Sequence, residues 1–349
     1  MESSRERGYG PADDDEWESQ LAGFDAIREL IGQARTIAIC GHTSPDGDAL
    51  GSVLGLMEII ESRWPDAHVT PLLADDAAVP RIYGFMPGSG ELVCAQSYTE
   101  DPDLFIAVDL CEMHRLNLAQ DVCKRSKKVA ILDHHPSSIP IASDGCVIRS
   151  SAAAAGVIIT EFAMYLGVDI SESIAQNLMC AVMTDTGRFQ YQNSDSEAFE
   201  IASLLVNCGA SPSDISLNVY QSFRLQFLHL KSLVMGRIMT FEQGRIAYSY
   251  ATQNDLNRTG ADLDESDGLI DVVRSVEGSE IALFLKSVSE HKVRGNLRSK
   301  GTLDVSKVAR LMGGGGHKAA AGFTFEGDID EALAAVLPPL RRLLNEAGN

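Results

Sequence analysis

Thr36-Ile37-Ala38-Ile39-Cys40-Gly41-His42-Thr43-Ser44-Pro45-Asp46-Gly47-Asp48-Ala49-Leu50-Gly51-Ser52-Val53-Leu54 runs from a short apolar segment, through a polar turn, into a stretch with helical periodicity. Leu50, Val53, Leu54, Met57 and Ile60 fall on one helical face over 48–62. A buried strand followed at once by a helix is the unit of an open α/β sheet, whose ligand crevice lies beyond the carboxyl ends of its strands. The glycines let the backbone turn tightly, and His42, Asp46 and Asp48 can converge on one point. Helix capping by Asp48 would need one such residue and would leave His42 and Asp46 unexplained.

The same alternation continues outward. Residues 23–34 read as a helix; 69–73, 104–108 and 129–132 as strands; and 152–166, 174–184 and 195–207 as helices. The pattern predicts an α/β domain with a mainly parallel sheet flanked by helices. It breaks at Gly209–Pro212, and 213–235 reads as one or two connecting helices. Beyond lies a smaller α/β domain: two strands around Gln243-Gly244, a helix at 269–276, a hairpin of 281–287 with 293–297, and a helix at 305–312. The last helix, 329–345, should be interrupted or kinked at Pro338-Pro339. The expected organisation is an acidic disordered tail at 1–20, a catalytic domain at 21–210, a helical linker at 211–235 and a second domain at 236–347.

The composition is that of an ordinary globular protein, with 45% hydrophobic and 22% charged residues. The sequence has no apolar run long enough for a membrane helix and no secretory signal pattern, which predicts a cytoplasmic protein. Seven scattered cysteines without a Cys-x-x-Cys pair speak against thiolate zinc and a disulfide framework. A net charge of −20 argues against a grip on long duplex nucleic acid but allows a short anionic substrate.

Three further places join acids or histidines to apolar runs: Asp109 after 104–108, Asp133-His134-His135 after 129–132, and Asp185-Thr186-Gly187 after a helix. Adjacent histidines on a strand diverge, so His134 and His135 should have separate roles. The set of imidazoles and carboxylates suits Mn²⁺ or a similar first-row cation. A shared carboxylate would hold two cations about 3.5–4 Å apart, and this many acids repel one another without them. In the second domain, Gly313-Gly314-Gly315-Gly316-His317 offers close backbone approach to a phosphate or base, and Arg298-Ser299 a guanidinium fork.

Three motifs in combination, His42-x-x-Pro45-Asp46-Gly47-Asp48-Ala49-x-Gly51-Ser52, Asp133-His134-His135 and Gly313-Gly314-Gly315-Gly316-His317-x-x-Ala320-Ala321-Gly322, resemble the DHH–DHHA1 phosphoesterase superfamily over about residues 22–347. Thr184-Asp185-Thr186-Gly187 and the short two-domain length are similar to its bifunctional oligoribonuclease and PAP phosphatase (nanoRNase) branch. The resemblance implies one metal on His42, Asp46 and Asp109 and a second on Asp48, Asp109, His134 and Asp185, with Asp109 bridging and both ions Mn²⁺. It implies that Asp133 orients a ligand, that His135 meets the scissile phosphate, and that Arg298, Ser299, Gly315, Gly316 and His317 hold the nucleotide. The sequence departs from the family pattern at Ser138, at Asn296, and at Glu112 and His114.

The implied activity is hydrolysis of single-stranded RNA of two to five nucleotides to nucleoside 5′-monophosphates, with dephosphorylation of pAp, by a homodimer. The nearest alternative is a phosphodiesterase for c-di-AMP or linear pApA. A RecJ-like exonuclease fits less well with a short, acidic chain, and a non-catalytic nucleotide sensor with the retention of all six ligands.

Overall fold

A computed structural model describes residues 13–137 and 139–347. The chain forms two compact units, Met1–Ser222 and Phe223–Asn349.

The first unit is built on six strands, β1 (Thr36–Cys40), β2 (His68–Leu73), β3 (Val93–Cys94), β4 (Leu104–Val108), β5 (Lys128–Asp133) and β6 (Gly145–Ile148). Their order is β3-β2-β1-β4-β5-β6, and every neighbouring pair is parallel. Its helices are α1 (Asp14–Gln33), α2 (Gly47–Arg63), α3 (Gln120–Arg125), α4 (Ala155–Leu166), α5 (Glu172–Asp185), α6 (Ser196–Asn207) and the single turn α7 (Pro212–Ile215). Alternation along β1 divides the core: Ile37 and Ile39 face the larger apolar cluster with α1, α2, α4 and α5, while Ala38 and Cys40 face the smaller one. The chain goes from β1 outward to β2 and β3, then returns to lay β4 on the other side of β1. The crevice of such a sheet opens where this order reverses, beyond Cys40 and Val108, and His42 and Asp109 follow those two ends.

Two local expectations change. α1 begins at Asp14, not Gly23: Asp13 caps it by accepting from Glu16 N, and the acidic run fills its first turn, where the helix dipole favours negative charge. Residues 1–12 of the expected tail, and Ser138, lie outside the described residues. Gly47 and Gly51 belong to α2 rather than to a tight turn, and they serve helix packing. A Cβ on Gly51 would stand 2.3 Å from Asn177 O of α5, and one on Gly47 2.5 Å from the Thr184 side chain.

The second unit carries β7 (Met239–Phe241), β8 (Ile246–Ala251), β9 (Ile281–Ser289), β10 (Lys292–Ser299), β11 (Gly315–Gly316) and β12 (Ala320–Glu326) in the order β11-β12-β10-β9-β8-β7. Only β8 and β9 run parallel among these described strands. Its helices are α8 (Leu225–Gly236), α9 (Gln253–Thr259), α10 (Leu269–Arg274), α11 (Ser306–Leu311) and α12 (Ile329–Ala347). α12 contains Pro338 and Pro339 without the expected interruption. Burial of Ala332, Val336, Leu340, Leu343 and Leu344 along one face offsets the hydrogen bonds that the prolines remove. The predicted connecting helices resolve into α7, a π-helical turn at Ser216–Tyr220, and α8. No described helix is long and apolar enough to cross a membrane.

Candidate metal centre

Beyond the ends of β1, β4 and β5, acids and imidazoles from four segments meet. His42 Nδ1 lies 2.8 Å from Thr43 O and donates to it, which turns Nε2 toward the acids. That Nε2 faces Asp109 Oδ2 at 3.3 Å and Asp46 Oδ1 at 3.8 Å. Asp46, and not Asp48, is the cap of α2; its Oδ1 accepts from the amides of Asp48 and Ala49. Asp48 is buried and reaches across to α4, accepting from Ala155 N at 2.7 Å and Gly156 N at 3.0 Å, and from Ser52 Oγ at 3.0 Å. The N-cap of α4 is Ala154, which has no capping side chain, so Asp48 satisfies that helix end from a distance.

Asp109 sits at the middle of the cluster in a left-handed backbone conformation, φ 59°. A non-glycine residue there costs of order 1 kcal/mol and persists where the surroundings fix it; here the Asp109 amide donates to Leu132 O. Its Oδ1 has no aligned hydrogen-bond donor, although His134 Nε2 stands at 3.3 Å and His135 Nδ1 at 3.5 Å. His134 Nε2 also lies 3.6 Å from Asp48 Oδ2 and 3.8 Å from Asp185 Oδ2. Asp133 is fully buried at the end of β5, and its Oδ1 takes His134 N and His135 Nδ1, both at 2.8 Å. The two rings do not diverge as on a strand: the strand ends at Asp133, and they stand edge to face with centroids 4.7 Å apart. Asp185, the last residue of α5, is followed by three left-handed residues, Gly187, Arg188 and Phe189. Asn193 reaches back to it, donating to Asp185 O, Asp185 Oδ2 and Ala153 O.

Burial pushes Asp48 well above the ordinary carboxylate range, with Asp109 adding to the rise, and drives Asp185 up to about 6. Burial also acts to raise Asp109, yet His134 and His42 hold it well below the ordinary value. His134 is raised far above a normal imidazole against burial, by Asp109, Asp185 and Asp48. Positive charge is what the cluster calls for, and protons supply it when cations do not. The donor atoms form groups His42–Asp46–Asp109 and Asp48–His134–Asp185, each within 4.8 Å, with Asp109 next to both. Hard oxygens with imidazole nitrogens fit first-row divalent cations.

Residues 36–184 match the DHH family, N-terminal domain, and residues 243–341 match the DHHA1 domain. The chain carries a DHH N-terminal domain and a DHHA1 domain. A bifunctional oligoribonuclease and PAP phosphatase, NrnA, from Thermus thermophilus is 29% identical over 95% of this chain and 96% of its own length. The cyclic-di-AMP phosphodiesterase GdpP of Geobacillus thermodenitrificans is 24% identical over 84% of this chain, which spans 45% of that larger protein. Among solved structures, an exopolyphosphatase-related protein from Bacteroides fragilis matches with a TM-score of 0.83 at 25% identity, covering 93% of this chain and 96% of that one.

In the DHHA1 domain, Arg298 and Ala320 are register partners on β10 and β12. Arg298 Nη1 donates to Leu297 O, while its Nε is buried without a hydrogen-bond partner. Ser299 is different. It is buried, and its hydroxyl donates to Leu303 O at 2.8 Å, inside the domain, so its side chain is not presented to a ligand as the sequence suggested. Gly315 and Gly316 form β11, and a tight turn through His317 closes onto Ala320 by a 2.7 Å bond from His317 N to Ala320 O. Three residues of the first domain escaped the sequence reading: Asp75, Arg115 and Asn193. Asp75 accepts from Thr43 and Ser44, Arg115 Nη1 stands 3.1 Å from His135 Nε2, and Asn193 bonds Asp185; none carries a local motif.

Proposed function

We propose that the protein hydrolyses RNA of two to five nucleotides to nucleoside 5′-monophosphates and removes the 3′-phosphate of pAp, using two Mn²⁺ ions. The observation that carries this reading is Asp109, wedged between His42 and His134 at 3.3 Å from each, with further acids on both sides. In the proposal, His42, Asp46 and Asp109 hold one ion, and Asp48, Asp109, His134 and Asp185 the other. The NrnA name of a relative spanning nearly the whole chain supports the substrate class.

Bound cations would neutralise phosphoryl charge and make an attacking water more acidic. The chain's own residues supply the geometry. Asp133 fixes the His135 ring through Nδ1, which aims its other nitrogen away from the acid. Asn193 holds Asp185, and the amide end of α4 holds Asp48. Arg298, Gly315, Gly316 and His317 are proposed to hold the nucleotide, and the active form is proposed to be a cytoplasmic homodimer. The c-di-AMP reading is less favoured, because its relative is the more distant and this chain matches under half of it.

A product time course on RNA dimers to 15-mers with Mn²⁺, with pAp and pApA alongside, tests this. Dimers to pentamers and pAp should be consumed first; no turnover of any dinucleotide or of pAp would overturn the proposal.

A further inference from the structure

Arg115 lies in the one-turn segments after β4, within a site rich in aspartate, yet among the described residues it forms no ion pair. Its Nη1 instead stands 3.1 Å from His135 Nε2. Because His135 Nδ1 faces the Asp133 carboxylate at 2.8 Å, Nε2 is the acceptor side of the ring, and the guanidinium donates to it. A half-buried arginine next to carboxylates ordinarily pairs with one bidentately. This one is held back from them.

What holds it is a clasp joining three loops at the carboxyl end of the sheet. Thr43 N donates to Arg115 O at 2.8 Å, tying the loop of His42 to the arginine's own backbone. Asp75, just beyond β2, accepts from Thr43 Oγ1 at 2.6 Å, Ser44 N at 2.5 Å and Asn117 Nδ2 at 2.7 Å. Leu118 N donates to Ala74 O at 3.0 Å. Ser44 and Asn117 both take positive φ, 53° and 42°, so the clasp keeps strained backbone in place on either side of the arginine. The first unit has 33 acidic and only 13 basic side chains, and one of those 13 is spent here without an acidic partner.

We propose that Arg115 is a substrate contact of the DHH domain: it exchanges its bond to His135 Nε2 for a non-bridging oxygen of the substrate phosphate. An uncompensated guanidinium beside the proposed ligands recognises a tetrahedral phosphoryl group by two parallel N–H bonds, and His135 parks it when no anion is present. No covalent step is involved. The inference rests on the phosphoesterase reading above and deepens it.

The test compares the full-length wild type with R115A and R115K, each loaded with Mn²⁺. With an RNA dinucleotide, kcat/KM should fall about 100-fold in R115A and about 10-fold in R115K. The rise in Tm that Mn²⁺ produces should be the same in all three proteins. Inorganic phosphate should raise the Tm of the metal-loaded wild type further and leave R115A unmoved. R115A activity within threefold of wild type, loss of the Mn²⁺ stabilisation, or equal phosphate stabilisation in both proteins would overturn the proposal. If the wild type itself turns over no dinucleotide and no pAp, the functional reading fails, and the phosphate comparison still decides the role of Arg115.

Discussion

Gly314 and Gly315 are adjacent and chemically identical, but only one is required by the fold. A Cβ on Gly314 would stand 2.0 Å from Gly322 O, backbone on backbone, whereas one on Gly315 would meet nothing within 4 Å. Gly313 and Gly316 are explained by positive φ, 78° and 128°. Gly315 alone of the four lacks an internal reason, as expected of a position kept bare for a ligand. Gly314→Ala should therefore lower Tm markedly. Gly315→Ala should keep stability within about 0.5 kcal/mol while raising KM for an RNA dinucleotide; melting curves and initial rates separate the two, and an unchanged KM in Gly315→Ala would remove this residue from the proposed nucleotide site. Sequence could not make that distinction, because a run of four glycines carries no mark of which backbone lies behind it. The six acids and histidines that the structure brings together were legible because they cluster at four places where an apolar run ends. Asp75, Arg115 and Asn193 were not, since their partners lie in other loops and a lone polar residue in a loop has many ordinary uses.

Elements were legible where periodicity was strong: β1 and β4 were expected at the bounds they have, and α2, α5 and α6 within two residues. β3 and β6 were missed, being two and four residues long at the sheet edges, too short to show a period. What ties the elements together is less visible still, and it is testable. The Asp75 clasp holds the loop between β1 and α2, so Asp75→Ala should weaken Mn²⁺ binding by about 10–100-fold, the usual effect of removing support from behind a ligand. A metal titration followed by thermal shift would show it, and unaltered affinity would make the clasp irrelevant to the site. In the second domain, Asp255 ties the start of α9 to Arg237, which ends α8. It receives Arg237 Nη1 at 2.5 Å and Nη2 at 3.0 Å and completes a capping box with Thr252. Burial opposes the charge, but Arg237 and Thr252 hold the carboxyl down at about 2. A depressed carboxylate contributes stability that is complete above its unfolded pKa, near 4, and drains away as pH falls through about 2. Acid unfolding monitored on the second domain should thus be steeper in the wild type than in Asp255→Asn, which should already be weaker at neutral pH by roughly 2 kcal/mol. Parallel acid curves for the two proteins would contradict this account.

For the whole molecule, the net charge of −20 was plain from composition, but its placement needed the boundary between Ser222 and Phe223. The second unit has 16 acidic and 16 basic side chains, so the entire excess resides on the unit that holds the candidate metal centre. An enzyme that binds nucleic acid through a basic surface releases counterions, and its affinity falls by orders of magnitude as salt rises. On the proposed reading, the long-range field of the acidic DHH unit repels an anionic substrate, and attraction is confined to the proposed cations, Arg115 and the proposed nucleotide contacts of the DHHA1 domain. Salt screens the exposed, distant charges far more than the buried ones. Raising KCl from about 50 to 200 mM should therefore leave kcat/KM for an RNA dinucleotide unchanged or raise it up to about twofold, since screening removes repulsion from the approach and little attraction from the site. The same titration with a long single strand as competitor should show no inhibition at low salt, where a basic groove would bind it best. A tenfold loss of kcat/KM over that range would mean that substrate capture depends on a positive surface, and the acidic unit would then have to be kept out of the substrate's path altogether.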